Sequence, residues 1–342
     1  RLRALADANK PFSPVRTPRP CVCSASKAVY TDSVRVIGER INPTGKKAMK
    51  EALRAEDYGY MQAQALEQTD AGADILDVNA GLPEIDEKEA LCKVIKAVQA
   101  VCDAPLQIDC GKADAIEAAL RVCCGKAIVN SVNGEERSLR AILPVVKKYG
   151  AAVVGLTVDE HGVPKTARAR MKIAEKIIKE CDACGIPRTD IYIDCLTLTA
   201  SAEQGQAEET LKALSAVKKK YGVRTVLGVS NISFGLPCRS FVNTSFLTAA
   251  LFAGLDCPIL NPNAPENMAA VAAFRALSGQ DKNCAEYVEK YGGAQAALSL
   301  SAGAAAQPAG GEEREDISRA IKKGMNTAGE IAAKMLESIP PL

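Results

Sequence analysis

The chain carries almost no net charge, no long apolar run and a single histidine, and each lack narrows what it can be. With 43 Lys and Arg against 41 Asp and Glu the formal charge is +2. That leaves no field to draw in nucleic acid or an acidic membrane surface, so small neutral or weakly charged ligands are the expected partners. No stretch approaches the roughly 18 apolar residues of a membrane span. No basic start followed by an apolar stretch marks a secretory signal either. The expectation is a soluble, cytoplasmic protein with no nucleic-acid and no membrane partner. No G-x-G-x-x-G follows the first strand-like run and no P-loop occurs, so the usual signs of an open nucleotide-binding sheet are missing. Cys181 and Cys184 form one C-x-x-C without a second ligand pair, and no metal site is expected.

Among what is present, 13 cysteines in 342 residues read as buried packing thiols in a reducing compartment. Residues 1–33 hold Pro11, Pro14, Pro18 and Pro20 among mostly polar neighbours and read as an extended connector. From Val34 onward, apolar runs alternate with amphipathic helical patterns: VRVIGERIN, ADILDVNAG, APLQIDCG, KAIVNSVNG, AAVVGLTVD, DIYIDCL, RTVLGVSN and CPILNP. Runs that are continuously apolar suit parallel strands covered on both faces. Eight such units over residues 34–293 predict an α/β fold, a closed (β/α)8 TIM barrel. Residues 294–311, rich in Ala, Gly and Ser, read as a flexible linker. Residues 312–342 offer one amphipathic helical stretch too small to fold alone. A start at Arg1 and an end at Leu342 make a piece of a longer polypeptide the expectation.

In such a barrel the reactive groups stand where strands end, at the C-terminal face. The polar residues there are Glu39, Arg40, Asn42, Asp77, Asn79, Asp109, Asn130, Asn133, Thr157, Asp159, Asp194, Ser230, Asn231, Asn261 and Asn263. Any one Asp or Asn at a strand end is commonly a turn or cap residue; so many together suit a ligand offering several N–H donors and carbonyl acceptors in one plane. A pterin edge is such a ligand.

The segments GERIN (38–42), LDVNAG (76–81), QID (107–109), IVNSVNGE (128–135), YID (192–194) and LGVSNISFGLPCRSFVNTSF (227–246) resemble the pterin-binding module of cobalamin-dependent methionine synthase. The related methyltetrahydrofolate:corrinoid methyltransferases share them, over roughly residues 34–290. The stretch ISRAIKKGMNTAGEIAAKMLE resembles the first helix of the cap domain that precedes cobalamin binding. The resemblance implies 5-methyltetrahydrofolate as methyl donor and cobalamin, or another corrinoid, as methyl acceptor. It also implies a cobalamin-binding domain and a homocysteine-binding domain of the same polypeptide as partners. By resemblance, Asp109, Asn130 and Asp194 hydrogen-bond the pterin, and Asn231 reaches the N5 region. Arg239 orders the site or meets the ligand's polar groups, while Glu39, Asn42, Asp77 and Asn79 support them.

A tertiary amine leaves poorly, so N5 needs positive character before its methyl departs. No side chain at the rim reads as an acid of neutral pKa, and the expectation is that Asn231, with Asp194 and water, stabilises protonated N5 in the transition state. His161 stands in DEHGVP, where Pro164 takes the place of the glycine in the D-x-H-x-x-G pattern that ligates cobalt, so an exposed loop histidine is expected. Cys123 and Cys124 resemble the paired cysteines of a zinc-thiolate site but lack its glycine-rich approach. Dihydropteroate synthase is the nearest rival, weakened by SNISFG where that family carries S-R-K. A non-catalytic folate-binding module is the rival from another class. An aldolase or hydrolase barrel would want a lysine or metal cluster at the strand ends.

Overall fold

A computed structural model describes residues 19–292. The linker at 294–311, the helical stretch at 312–342 and the first part of the expected connector lie outside the described residues. Among the described residues ten strands are present: β1 Cys21–Cys23, β2 Ala28–Tyr30, β3 Ile37–Ile41, β4 Ile75–Val78, β5 Leu106–Asp109, β6 Ile128–Asn133, β7 Ala152–Leu156, β8 Ile191–Asp194, β9 Arg224–Gly228 and β10 Cys257–Leu260. The last eight, one from each apolar run, pair in parallel and close β10 onto β3, forming the barrel. The helices are α1 Lys47–Arg54, α2 Tyr58–Asp70, α3 Glu87–Gln99, α4 Ala113–Val122, α5 Glu136–Tyr149, α6 Ala167–Ala183, α7 Gln206–Tyr221, α8 Arg239–Ala253 and α9 Pro265–Leu277.

Side chains alternate across each strand, and this sorts the apolar residues into two cores. Leu76, Leu106, Ile108, Val129, Val153 and Leu227 face outward under the helices. Ile37, Ile75, Ile128, Val154, Tyr192 and Val226 face inward and fill the lower barrel. One or two residues further along β3, β4, β5, β6 and β8, the inward positions turn polar, at Glu39, Asp77, Asp109, Asn130 and Asp194. The barrel is thus oily at its N-terminal end and polar at its C-terminal end.

Residues 21–30, read from the sequence as part of an extended connector, instead form an antiparallel ribbon of β1 and β2. Val22 and Val29 join the inner core and stopper the barrel's base. Cys23 exchanges backbone hydrogen bonds with Lys126 at 3.1 and 2.9 Å. The ribbon passes so close that a Cβ on Gly125 would lie 2.2 Å from the Cys23 carbonyl oxygen, at a residue whose φ is +109°, a place only glycine tolerates. Next to the ribbon, Thr31 and Tyr192 share a buried hydroxyl–hydroxyl hydrogen bond of 2.7 Å. Tyr192→Phe leaves the Thr31 hydroxyl buried without that partner, and urea unfolding should show a loss of about 1–2 kcal/mol.

The compact unit that contains the barrel ends at Asp281. Beyond it, residues 282–284 form a 3-10 turn, and the rings of Tyr287 and Tyr291 pack at a tilt of 46° with centroids 5.0 Å apart.

Candidate functional site

Asp109 ends β5 level with Asn130 on β6. The amides of Asn42 and Asn79 both donate to Asp109 Oδ2, at 3.1 and 3.0 Å, which fixes the carboxylate and leaves Oδ1 for a ligand. Below it, Asp77 is level with Gln107, whose Nε2 donates to Asp77 Oδ1 at 2.7 Å. Glu39 Oε1 accepts from Ser230 Oγ at 2.9 Å, tying β3 to the turn that carries Asn231. Asp194 ends β8 level with Leu156 on one side and Val226 on the other, and its Oδ1 accepts from the Leu196 N–H at 2.6 Å. Seven of the expected site residues therefore stand inside one barrel end.

The remaining two, Asn231 and Arg239, are exposed on the segment after β9. Asn231 lies in a 3-10 turn over Val229–Ser233. Gly228 holds the last inward position of β9, and a Cβ there would be 3.0 Å from Asn231 Nδ2; the missing side chain makes room for the amide. Arg239 opens α8, donates to Ser233 Oγ and the Ser230 carbonyl at 2.9 Å each, and lies 4.7 Å from the centroid of Phe234. It orders the turn that presents Asn231.

Burial sets the electrostatics of this end. Desolvation raises Asp77 well above the usual carboxylate range, with the neighbouring Asp109 adding to it. Desolvation also raises Asp109, opposed by the Asn79 amide, and Glu39, opposed by the Ser230 hydroxyl. Asp194 is pushed up to about 7 by burial, against the opposing Leu196 N–H and the Arg170 charge. An acid of neutral pKa therefore does stand at the rim, contrary to the expectation from sequence. Such a shift follows from removing water around a carboxylate, a property of the fold rather than of the residue type.

Several strand-end residues shape the turns that follow their strands. Asn133, Asp159 and Asn261 each accept from the backbone N–H two residues on, at 3.0, 3.0 and 3.1 Å. The β3–β4 pairing shifts register between Gly38 and Ile41, and Arg40 turns outward to Gln64 and Gln68 of α2. Lys46 was not anticipated: its ammonium reaches the rim and donates to the Glu39 carbonyl at 2.6 Å. Arg170 was missed as well. It is wholly buried and donates to the Cys195 and Leu196 carbonyls just beyond Asp194, at 2.9 and 3.1 Å. His161 is exposed as expected, its side chain at 85%. All 13 cysteines are free thiols, but only Cys110, Cys181, Cys195 and Cys257 are buried; Cys123 is half-buried and Cys124 exposed, so the packing reading holds for part of the set alone.

A groove of about 680 Å³, lined by Gly111, Lys112, Ser131, Asn133 and Arg137 among others, opens along the residues that follow Asp109 and Asn130. A second cavity, of about 630 Å³, lies between the ribbon turn at Ser24–Ser26 and the C-terminal ends of α2 and α3, away from the polar rim.

The comparisons agree with this geometry. The family model described as pterin binding enzyme matches residues 38–261, more than half of the chain and every barrel strand. The chain is 30% identical over 263 residues to the methylcorrinoid:tetrahydrofolate methyltransferase of Eubacterium limosum, covering 75% of this chain and 95% of that protein. It is 35% identical over 245 residues to the methionine synthase of Mycobacterium leprae, covering 67% of this chain but 20% of that protein. Among solved structures, Yersinia pestis dihydropteroate synthase with a pterine-sulfa conjugate superposes with a TM-score of 0.59 at 18% identity, over 76% of this chain and 99% of that one. At that identity the likeness is one of fold. With the barrel, the acid and amide rim and the matched segments all in register, the chain belongs to the pterin binding enzyme family.

Proposed function

We propose that this chain binds 5-methyltetrahydrofolate in the barrel mouth and passes its N5-methyl group to the cobalt of a reduced corrinoid, the partial reaction of cobalamin-dependent methionine synthase. The observation that carries the reading is the placement of Asp109, Asn130 and Asp194 at one end of the barrel, with acceptor oxygens left over on both carboxylates. Those oxygens suit the 2-amino group and ring N–H of a pterin, and the Asn130 amide suits its carbonyl and ring nitrogens. The relatives at 30% and 35% identity transfer methyl groups or make methionine by their names, which favours transfer over condensation of a pterin diphosphate.

In the reaction the C–N5 bond breaks and its electrons return to nitrogen, so N5 must carry a proton or a strong hydrogen bond as the methyl departs. Asn231, on the turn beside the mouth that Arg239 holds, supplies an amide dipole there. Asp194, titrating near neutrality, completes it with water. Groups held in place before the reaction stabilise developing charge at no reorganisation cost. The corrinoid is the methyl acceptor, not a resident group: His161 sits on an exposed turn. A cobalamin-binding domain of a longer polypeptide would carry it, with a homocysteine-binding domain as the further partner.

The test is a spectrophotometric assay. With methyltetrahydrofolate, the chain should convert free cob(I)alamin to methylcobalamin; with a pterin diphosphate and p-aminobenzoate it should form no dihydropteroate. Tight folate binding without methyl transfer, even at abundant cob(I)alamin, would replace this reading with a binding module.

A further inference from the structure

Arg170 lies on α6, the helix between β7 and β8, and is 0% exposed. Its Nε donates to the Pro164 carbonyl at 2.9 Å. Its Nη1 meets the carbonyls of Cys195 and Leu196 and, at 2.7 Å, Thr210 Oγ1. Its Nη2 meets Gln206 Oε1 at 2.7 Å. All five acceptors are neutral, and Arg170 takes part in none of the ion pairs among the described residues. A buried cation without a carboxylate in contact is costly, and here neutral oxygens alone meet its donors. The charge itself needs a reason.

The reason stands next to the clamp. Leu196, whose carbonyl Arg170 and Thr210 hold, adopts a left-handed φ of +61° and turns its N–H onto Asp194. The same loop continues to the other reacting side of the mouth: Ala200 N–H donates to the Ile232 carbonyl at 2.9 Å, and the hydroxyls of Thr199 and Ser201 both donate to the Phe234 carbonyl at 2.7 Å. Ile232 lies in the turn next to Asn231, and Phe234 directly follows that turn.

We infer that Arg170 is a positioning residue for methyl transfer: its fork fixes the loop that joins Asp194 to the Asn231 turn, and its charge balances the Asp194 carboxylate. This rests on the function proposed above, because it assigns Asp194 a role in the pterin site. The titratable groups around Asp194 are Arg170 from α6 and the adjacent Cys195 thiol; Glu209 on α7 acts on Arg170 in turn. Of these, Arg170 alone favours the ionised form of Asp194.

The experiment is a pH titration of the unliganded full chain labelled with 13Cγ-aspartate, with Asp194→Asn identifying the resonance. Arg170→Gln should move the Asp194 midpoint upward by about one unit or more, the usual effect of removing a nearby opposite charge. Arg170→Lys, which keeps the charge and loses the fork, should leave the midpoint near the parent value. A folded Gln variant with the parent midpoint, or equal shifts in both variants, overturns the inference. Should the Gln variant fail to fold, Thr210→Val serves. It strips one acceptor from the guanidinium and one donor from the Leu196 carbonyl, and should speed hydrogen exchange at the Leu196 amide at least tenfold; unchanged exchange there overturns the proposal equally. No folate is present in these measurements, so a failure of the methyl-transfer assay is a separate result.

Discussion

Asp194→Asn should yield a barrel that is more stable than the parent at pH 8 and binds folate more weakly. The parent carboxyl is buried and titrates near 7, whereas an unfolded aspartate titrates near 3.9. The folded state therefore holds a proton that the unfolded state releases. Stability from this group is fully present below about pH 4, declines as pH rises, and is exhausted above the folded value of about 7. Three pK units correspond to roughly 4 kcal/mol, an upper figure, because losing the carboxylate also deprives the buried Arg170 of a balancing charge. Asparagine resembles the protonated form, can still accept from the Leu196 N–H and does not titrate. The gain in Tm over the parent should be small at pH 5 and grow to the equivalent of about 1–3 kcal/mol by pH 8. The binding loss has a different origin: where the carboxylate accepts from a pterin N–H, the amide can present a donor. A lost hydrogen bond to a charged group costs about 1.5–3 kcal/mol, or about 10–100-fold in affinity for methyltetrahydrofolate. Equal Tm differences at pH 5 and pH 8 would show that Asp194 is not a desolvated acid.

That dependence on burial marks where sequence reading stops. All eight barrel strands were legible, because most of the runs are continuously apolar and each is followed by a helix with one buried face. The β1–β2 ribbon was not: it buries one valine per strand, Val22 and Val29, and three-residue strands have no period to detect. The site was legible as a kind of chemistry, since acids and amides recur at strand ends. Which of them face inward was less so. Glu39 and Arg40 are neighbours on β3, and strand alternation sends one inward beside Ser230 and the other outward against α2. Arg170 stands in ARARMK at the start of α6, where a basic residue reads as a wet helix face; four of its five acceptors lie 25 to 40 residues further on, between Cys195 and Thr210. No local signal reports contacts at that separation.

The largest kinetic effect should follow the loss of the Asn231 amide. Asn231→Ala removes a single preorganised dipole, and deletions of comparable groups at a charge-developing atom lower turnover about 10²–10³-fold. The variant should fold normally, because Asn231 is exposed and the turn is held by Arg239 through Ser233 Oγ and the Ser230 carbonyl. Methyltetrahydrofolate affinity should change far less than the rate, since an interaction made mainly in the transition state is lost from turnover and not from ground-state binding. Gly228→Ala tests the same group without removing it. Gly228 has φ −73°, which alanine accepts, so the backbone is unstrained. Its new methyl would lie 3.0 Å from Asn231 Nδ2 and displace the amide. Stopped-flow methyl transfer to cob(I)alamin should therefore slow in Gly228→Ala with little change in Tm. It should slow no further when Asn231→Ala is added, because both substitutions act on the same amide. Additive losses would mean that Gly228 matters for some other reason, and a full rate in Asn231→Ala would leave N5 activation to Asp194 and water.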